Sequence, residues 1–164
     1  MRILVTGPAN PVGDAVVRAL AQAGHEVRAF GLPPGHDPFG MRGVSVFAGR
    51  IDLGGSLEPA AAECQALVHC ALFDAPEGSK AHRAMVLENG TLFARYAAER
   101  ELVQRLVAVF PEGKEGAGLA RAEAHVRATR PTVPYALVRA ATPEAAAREV
   151  LAALAPLASL PPTA

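Results

Sequence analysis

The sequence predicts an α/β fold, a doubly wound parallel sheet of about six strands in the order 3-2-1-4-5-6. Three observations predict it. Short, continuously apolar runs alternate with helical patterns along the chain, as in a parallel sheet covered on both faces. The first run leads into a glycine turn and then a helix, an order that aims backbone N–H groups and a helix N-terminus at a phosphate. Apolar residues make up 51% of the 164 residues against 20% charged, which marks a globular chain large enough for a real core.

Taken in order, Ile3, Leu4 and Val5 read as a short buried strand. Gly7 opens a turn. A helical pattern begins near Val12, carries Ala15, Val16, Ala19, Leu20 and Ala23 on one face, and stops at Gly24. The second strand is His25–Phe30, and residues 31–43, rich in Pro and Gly, form a loop. The third strand is Val44–Ala48, followed by a short helix from Ser56 to Cys64 and a fully buried fourth strand, Ala66–Ala71. A long helix is expected from Ser79 to Glu101, a fifth strand over Leu106–Phe110 and a helix from Gly116 to Thr129. Tyr135–Val138 is a sixth strand, and the last helix runs from Pro143 to Leu154 with its proline in the first turn. Residues 1–155 are read as one domain and 156–164 as a loose C-terminal tail. The ligand crevice of such a sheet lies where the strand order reverses, between strands 1 and 4.

Sixteen basic residues balance sixteen acidic ones, so no global field favours nucleic acid or an anionic membrane. Cys64 and Cys70 follow no metal spacing and the five histidines are scattered, so no metal is expected and a reduced cytoplasmic protein is the plain reading. The chain enters a strand almost at once, so no signal peptide is expected. No apolar run approaches the ~20 residues that span a bilayer.

Gly7 and Gly13 match the outer glycines of the dinucleotide fingerprint, and Asn10 stands where its middle glycine belongs. Asn tolerates the left-handed backbone that glycine supplies, but its side chain fills space a pyrophosphate needs. Gly7, Pro8, Asn10, Pro11, Val12 and Gly13 are therefore the candidate dinucleotide contacts of the turn. The alternative is a fold-forming tight turn with no ligand.

Five segments follow one another at a spacing that resembles the extended and atypical short-chain dehydrogenase/reductases, the group of the sugar-nucleotide epimerases and the NmrA-like proteins. They are Met1-Arg-Ile-Leu-Val-Thr-Gly7, Gly49-Arg-Ile-Asp52, Ala66-Leu-Val-His-Cys-Ala71, Gly90-Thr91 and Tyr135-Ala-Leu-Val-Arg139. The resemblance runs from Met1 to about Leu154 and implies a Rossmann-type, NAD(P)-binding fold. It adds Arg50, standing where the family has an adenine-facing Asp, and His69, Cys70 and Ala71 at the end of strand 4 to the candidate cofactor contacts. Arg50 also reads as a solvated charge, His69 as a satisfied core histidine, and Cys70 as small apolar filler.

The resemblance implies a catalytic Tyr, Lys, Ser and Asn, and these positions hold Ala117, Arg121, Phe110 or Pro111, and Leu87. None of them exchanges a proton near neutral pH, so no catalytic residue is expected. Strand 2 ends in Phe30-Gly31-Leu32, with neither an acid for a ribose 2′-hydroxyl nor an Arg for a 2′-phosphate. The cofactor expectation is weakly bound NAD(P), leaning slightly to NADP if Arg28, Arg42 or Arg50 reaches the phosphate. The long helix, with Met85, Leu92, Phe93 and Tyr96, and the helix over 116–129 form a candidate homodimer seam. Ordinary packing on the sheet is the other account of them. Arg121, Arg127 and Arg130 read as a solvated helix face. The chain ends soon after strand 6, so the family's C-terminal substrate region is expected to be missing. Three functions fit these observations: a non-catalytic dinucleotide sensor or regulator, a reductase that works without a Tyr-Lys pair, and a structural subunit that keeps only the fold.

Overall fold

The computed structural model describes residues 1–53, 55–73 and 79–158. A six-stranded parallel sheet runs β3-β2-β1-β4-β5-β6, with β1 at Arg2–Thr6, β2 at Glu26–Leu32, β3 at Val44–Ala48, β4 at Ala66–His69, β5 at Arg105–Pro111 and β6 at Tyr135–Ala140. The expected order is the one observed. Helices α1 (Pro11–Gln22) and α5 (Pro143–Ala158) cover one face; α2 (Glu58–Ala61), α3 (Lys80–Arg100) and α4 (Ala117–Arg127) cover the other.

The central strands show why the chain folds this way. Alternate residues of β1 and β4 feed opposite faces: Ile3, Val5, Ala66 and Val68 pack with α1 and α5, and Leu4 and Leu67 with the α3 side. All of them are fully buried, which is why these strands read as continuous apolar runs. Helix α1 supplies Val16, Val17 and Leu20 to the first core, and Val150, Leu154 and Leu157 of α5 complete it. Helix α3 meets the sheet through small residues, Gly90, Thr91, Ala94, Ala97 and Ala98.

Several element ends differ from the expected ones, each for a physical reason. β2 continues past Phe30 to Leu32, because Gly31 (φ +110°) makes an irregularity in the pairing with β3 that lets Leu32 return to the core. β4 stops at His69, and a single 3-10 turn, Ala71–Phe73, follows it. The helix expected over Ser56–Cys64 has only four residues, ended by an extended Ala62 (ψ 132°) and a left-handed Glu63 (φ +60°). α5 runs past Leu154 and through Pro156 to Ala158, since buried Leu157 anchors its last turn. It thereby takes in the start of the stretch read as a tail; residues 159–164 lie outside the described residues. On α3, Met85 and Tyr96 are exposed, while Leu92 and Phe93 are half-buried. No helix among the described residues is long and apolar enough to cross a membrane.

Helices α3 and α4 touch backbone to backbone where Gly118 meets Ala84. A Cβ at Gly118 would lie 2.9 Å from the Ala84 Cα. Gly118→Val should force the helices apart and destabilise by ~1–3 kcal/mol, seen as a lower urea midpoint with an unchanged slope.

Candidate functional site

The turn after β1 is built by backbone contact. Gly7 has φ +74°, and a Cβ on it would lie 2.6 Å from the Ala71 amide nitrogen and 2.8 Å from the Cys70 carbonyl carbon. A Cβ on Gly13 would lie 1.9 Å from the Gly7 oxygen. Both outer glycines are therefore required by the turn itself, before any ligand is considered. A side chain at Gly13 would therefore collide with the turn before it met any phosphate.

Asn10 departs from the expectation that it stands in for glycine's left-handed backbone. Its backbone is extended (φ −87°, ψ 157°), and its side chain caps α1. Oδ1 accepts from the Gly13 amide at 2.9 Å, and Nδ2 donates to the Cys70 carbonyl at 3.1 Å. Such a cap is worth ~1 kcal/mol to the helix, and Pro11 at the first helical position, with its preset φ, suits it.

Beside the turn a crevice of about 190 Å³ opens at the C-terminal edge of the sheet, where the strand order reverses. Gly7 and Ala9 of the turn and Ala71 after β4 form one wall; Phe30 and Gly31 of β2 and residues 49–52 after β3 form the other. Of the candidates named from sequence, Gly7, Arg50 and Ala71 line it. Pro8, Asn10, Val12 and Gly13 are buried within the turn and the start of α1, with Pro11 exposed beside them; His69 and Cys70 lie in and just after β4. Sequence reasoning missed Ala9, Phe30, Gly31, Gly49, Ile51 and Asp52 as lining residues. Their shared signal was position, since each follows or ends a strand at that edge.

Asp52 matters most among them. Arg50 holds its carboxylate through Nε at 3.1 Å and Nη2 at 2.7 Å. The Asp52 side chain is 15% exposed against 67% for Arg50. These hydrogen bonds hold the Asp52 carboxyl below its usual range, so the crevice presents an ionised acceptor at neutral pH. Of the three arginines considered for a 2′-phosphate, Arg50 alone stands at this edge. Arg28 donates to the Ala60 and Ala62 carbonyls at 3.0 and 2.7 Å and lies over the Phe47 ring. Arg42 precedes β3, at the opposite end of the sheet.

His69 is the centre of a buried hydrogen-bond chain. Thr91 Oγ1 donates its proton to the Leu87 carbonyl at 2.9 Å. It must then accept from His69 Nε2, 3.1 Å away. Nδ1 is left without a proton and accepts from the Thr6 hydroxyl at 2.8 Å. Burial pushes the His69 pKa down to about 4, so this imidazole is neutral and fully used in holding β1, β4 and α3 together.

The positions aligned with the family's catalytic groups are otherwise engaged. Phe110 is buried beneath the Arg139 guanidinium, which lies 5.6 Å from its ring centre. Arg121 pairs with Glu88 across the α3–α4 contact, and the Leu87 carbonyl serves Thr91. Arg127 and Arg130 likewise hold partners, Glu123 at 2.7 Å and Glu99 at 3.5 Å; all three arginines are exposed, as expected of a solvated face, and they carry surface ion pairs. Next to Phe110 a larger cavity of about 540 Å³ lies between residues 113–116, the first turns of α4 and Arg139.

By fold the chain is a Rossmann-type protein, and solved structures share its architecture. The Bordetella bronchiseptica enzyme WbmG in complex with NAD aligns over 85% of this chain and 52% of its own length, with a TM-score of 0.68 and 23% identity. A short-chain dehydrogenase/reductase superfamily protein from Agrobacterium tumefaciens with bound NAD aligns over 85% of this chain and 48% of its own, with a TM-score of 0.67 and 26% identity. A Rossmann-fold NAD(P)-binding family protein from Shigella flexneri aligns over 84% and 66%, with a TM-score of 0.64 and 17% identity. The chain spans about half the length of the first two. No family model and no curated protein matches it.

His69 should make stability depend on pH well above the carboxylate range. The unfolded chain takes up this proton near pH 6.5 and the folded chain only near 4. The stabilisation is therefore complete above pH 6.5 and falls as the pH drops towards 4. Between pH 7.5 and 5.0 the loss should be about 2 kcal/mol by urea unfolding, with a smaller share from His25, whose pKa burial also lowers. The paired carboxylates of Glu26, Asp52, Glu88 and Glu123 act lower, as the pH falls through and below their ordinary values of 4.5 and 3.8. His69→Gln should flatten the curve above pH 5, and an equally steep variant curve would refute the assignment.

Proposed function

We propose that this chain binds a nicotinamide dinucleotide and works as a sensor or regulator, without the proton-transfer set of the short-chain dehydrogenase/reductases. The crevice at the strand-order reversal carries this reading. Its volume is below the ~300–1,000 Å³ of pockets that enclose a whole small ligand, so it suits the adenosine end. Asp52 offers an ionised acceptor for an exocyclic amine, Gly31 leaves room beside it, and the Gly7–Gly13 turn lies next to it for the phosphates. The bound cofactor would supply hydride chemistry. Ala117, Arg121, Phe110 and Leu87 supply no acid or base to accompany it. The NAD held by WbmG and by the Agrobacterium protein supports the choice of cofactor.

Cofactor discrimination is proposed to be slight. Gly31 offers a ribose no carboxylate, and the lean to NADP rests on Arg50, which is already paired with Asp52. We place the protein in the cytoplasm, and as a homodimer through α3 and α4, where Met85 and Tyr96 are exposed. A second reading, a reductase that needs no Tyr-Lys pair, is favoured by the 540 Å³ cavity beside Phe110, which has room for an acceptor.

Calorimetric titration with NAD(H) and NADP(H) tests the main reading, with weak binding expected and less than ten-fold preference between them. Ala9 is exposed and lines the crevice; Ala9→Asp should weaken binding of both dinucleotides by placing a like charge beside the phosphates while leaving the melting temperature unchanged. Unaltered affinity in that variant would refute the site. Turnover of a UDP-sugar with NAD should not exceed the no-enzyme control, and clear turnover would refute the loss of catalysis.

A further inference from the structure

The turn that faces the crevice is poor in the groups a diphosphate needs. Pro8 and Pro11 have no N–H at all. The Asn10 amide donates to the Gly7 carbonyl at 3.4 Å, and the Asp14 amide to the Asn10 carbonyl at 2.9 Å. The Gly13 amide, the third of α1 and a natural phosphate donor, is held by Asn10 Oδ1. Ala9 and Val12 remain as donors. The Asn10 side chain also reaches across to the Cys70 carbonyl, so it bridges the turn and the exit of β4. At the base end Asp52 still presents its ionised carboxylate, beside Gly49 packed on the buried Phe30 ring.

Resting on the dinucleotide reading above, we propose that Asn10, buried in the turn behind the crevice wall, determines the ligand specificity of the crevice through the Gly13 amide it holds. Its carboxamide acts as a built-in ligand at the diphosphate position, so affinity comes from the adenine and ribose and scarcely from the phosphates. The ligand class selected is then any adenosine-ended molecule, with little advantage for the intact dinucleotide. A diphosphate gains a charge-assisted bond from the Gly13 amide only by displacing Asn10 Oδ1, and that exchange leaves the carboxamide to find another partner.

The test is a calorimetric series with adenosine, ADP and NAD on the unaltered protein and on Asn10→Gly. Glycine at a helix N-cap costs the helix only a few tenths of a kcal/mol relative to Asn, and a melting curve confirms folding of the variant. In the unaltered protein the three ligands should bind within about three-fold of one another. In Asn10→Gly, ADP and NAD should gain about ten-fold, the value of one regained charge-assisted bond, while adenosine stays within about two-fold. ADP or NAD binding more than ten-fold tighter than adenosine to the unaltered protein would overturn the inference and sustain the dinucleotide reading. So would an Asn10→Gly protein with unchanged ADP and NAD affinities. Failure of adenosine and NAD to bind either protein would overturn both.

Discussion

The C-terminal edge of the sheet is organised by the direct contact of Gly7 with the backbone at Cys70 and Ala71, since a Cβ there would meet Ala71 nitrogen at 2.6 Å. β1 lies between β2 and β4, so its exit has no lateral freedom and must turn within the space β4 leaves. That turn fixes where α1 begins, because the first helical turn rests on the Gly7 carbonyl through Gly13. The start of α1 in turn brings Asn10 within reach of both the Gly13 amide and the Cys70 carbonyl. The open side of the same turn, with Ala9 and Ala71, forms one wall of the crevice. The start of α1, its cap and one wall of the crevice thus follow from one close approach.

The strands were legible because burial on both faces leaves a composition that no polar segment imitates. Ile3–Val5 and Leu106–Phe110 fall within β1 and β5, and Val44–Ala48 coincides with β3. The last residues of β2 were not legible, since Gly31-Leu-Pro reads as a turn unless one knows that a bulge returns Leu32 to the core. The capping role of Asn10 was within reach of the sequence: Asn followed by Pro before an apolar helical pattern is an N-terminal signature. The segments holding Asp52, Phe30 and Gly49 were legible, but which of their residues face the turn was not, because that nearness is made by pairing β1 with β2 and β2 with β3. The engagement of Arg28 was equally hidden, as its partners are carbonyls of α2, an element whose true length the periodicity overstated.

Charge in this protein is spent locally in pairs, which agrees with a net charge of zero. Most of these pairs are exposed and add little stability each. Glu99 differs, since its side chain is 6% exposed and faces Arg95 at 3.3 Å and Arg130 at 3.5 Å. It also accepts from the Arg130 amide at 2.9 Å. Removing this carboxylate would leave that amide and the largely buried Arg95 guanidinium short of a partner in a poorly solvated place, a loss larger than the pair's own attraction, while exposed Arg130 would turn to water. The end of α3 is tied in this way to the connection leading into β6.

The Thr6–His69–Thr91 chain bears on how the sheet finds its alignment. β4 is apolar towards both faces, so hydrophobicity alone would tolerate sliding it one residue along β1. A one-residue slip turns every side chain to the opposite face. It would carry the imidazole away from Thr6 and Thr91 into the layer formed with α1 and α5, where Val5, Val16 and Val68 pack, leaving a buried polar ring without partners. The single polar residue in an otherwise interchangeable strand therefore acts as a register key, admitting one pairing of β4 and penalising its neighbours.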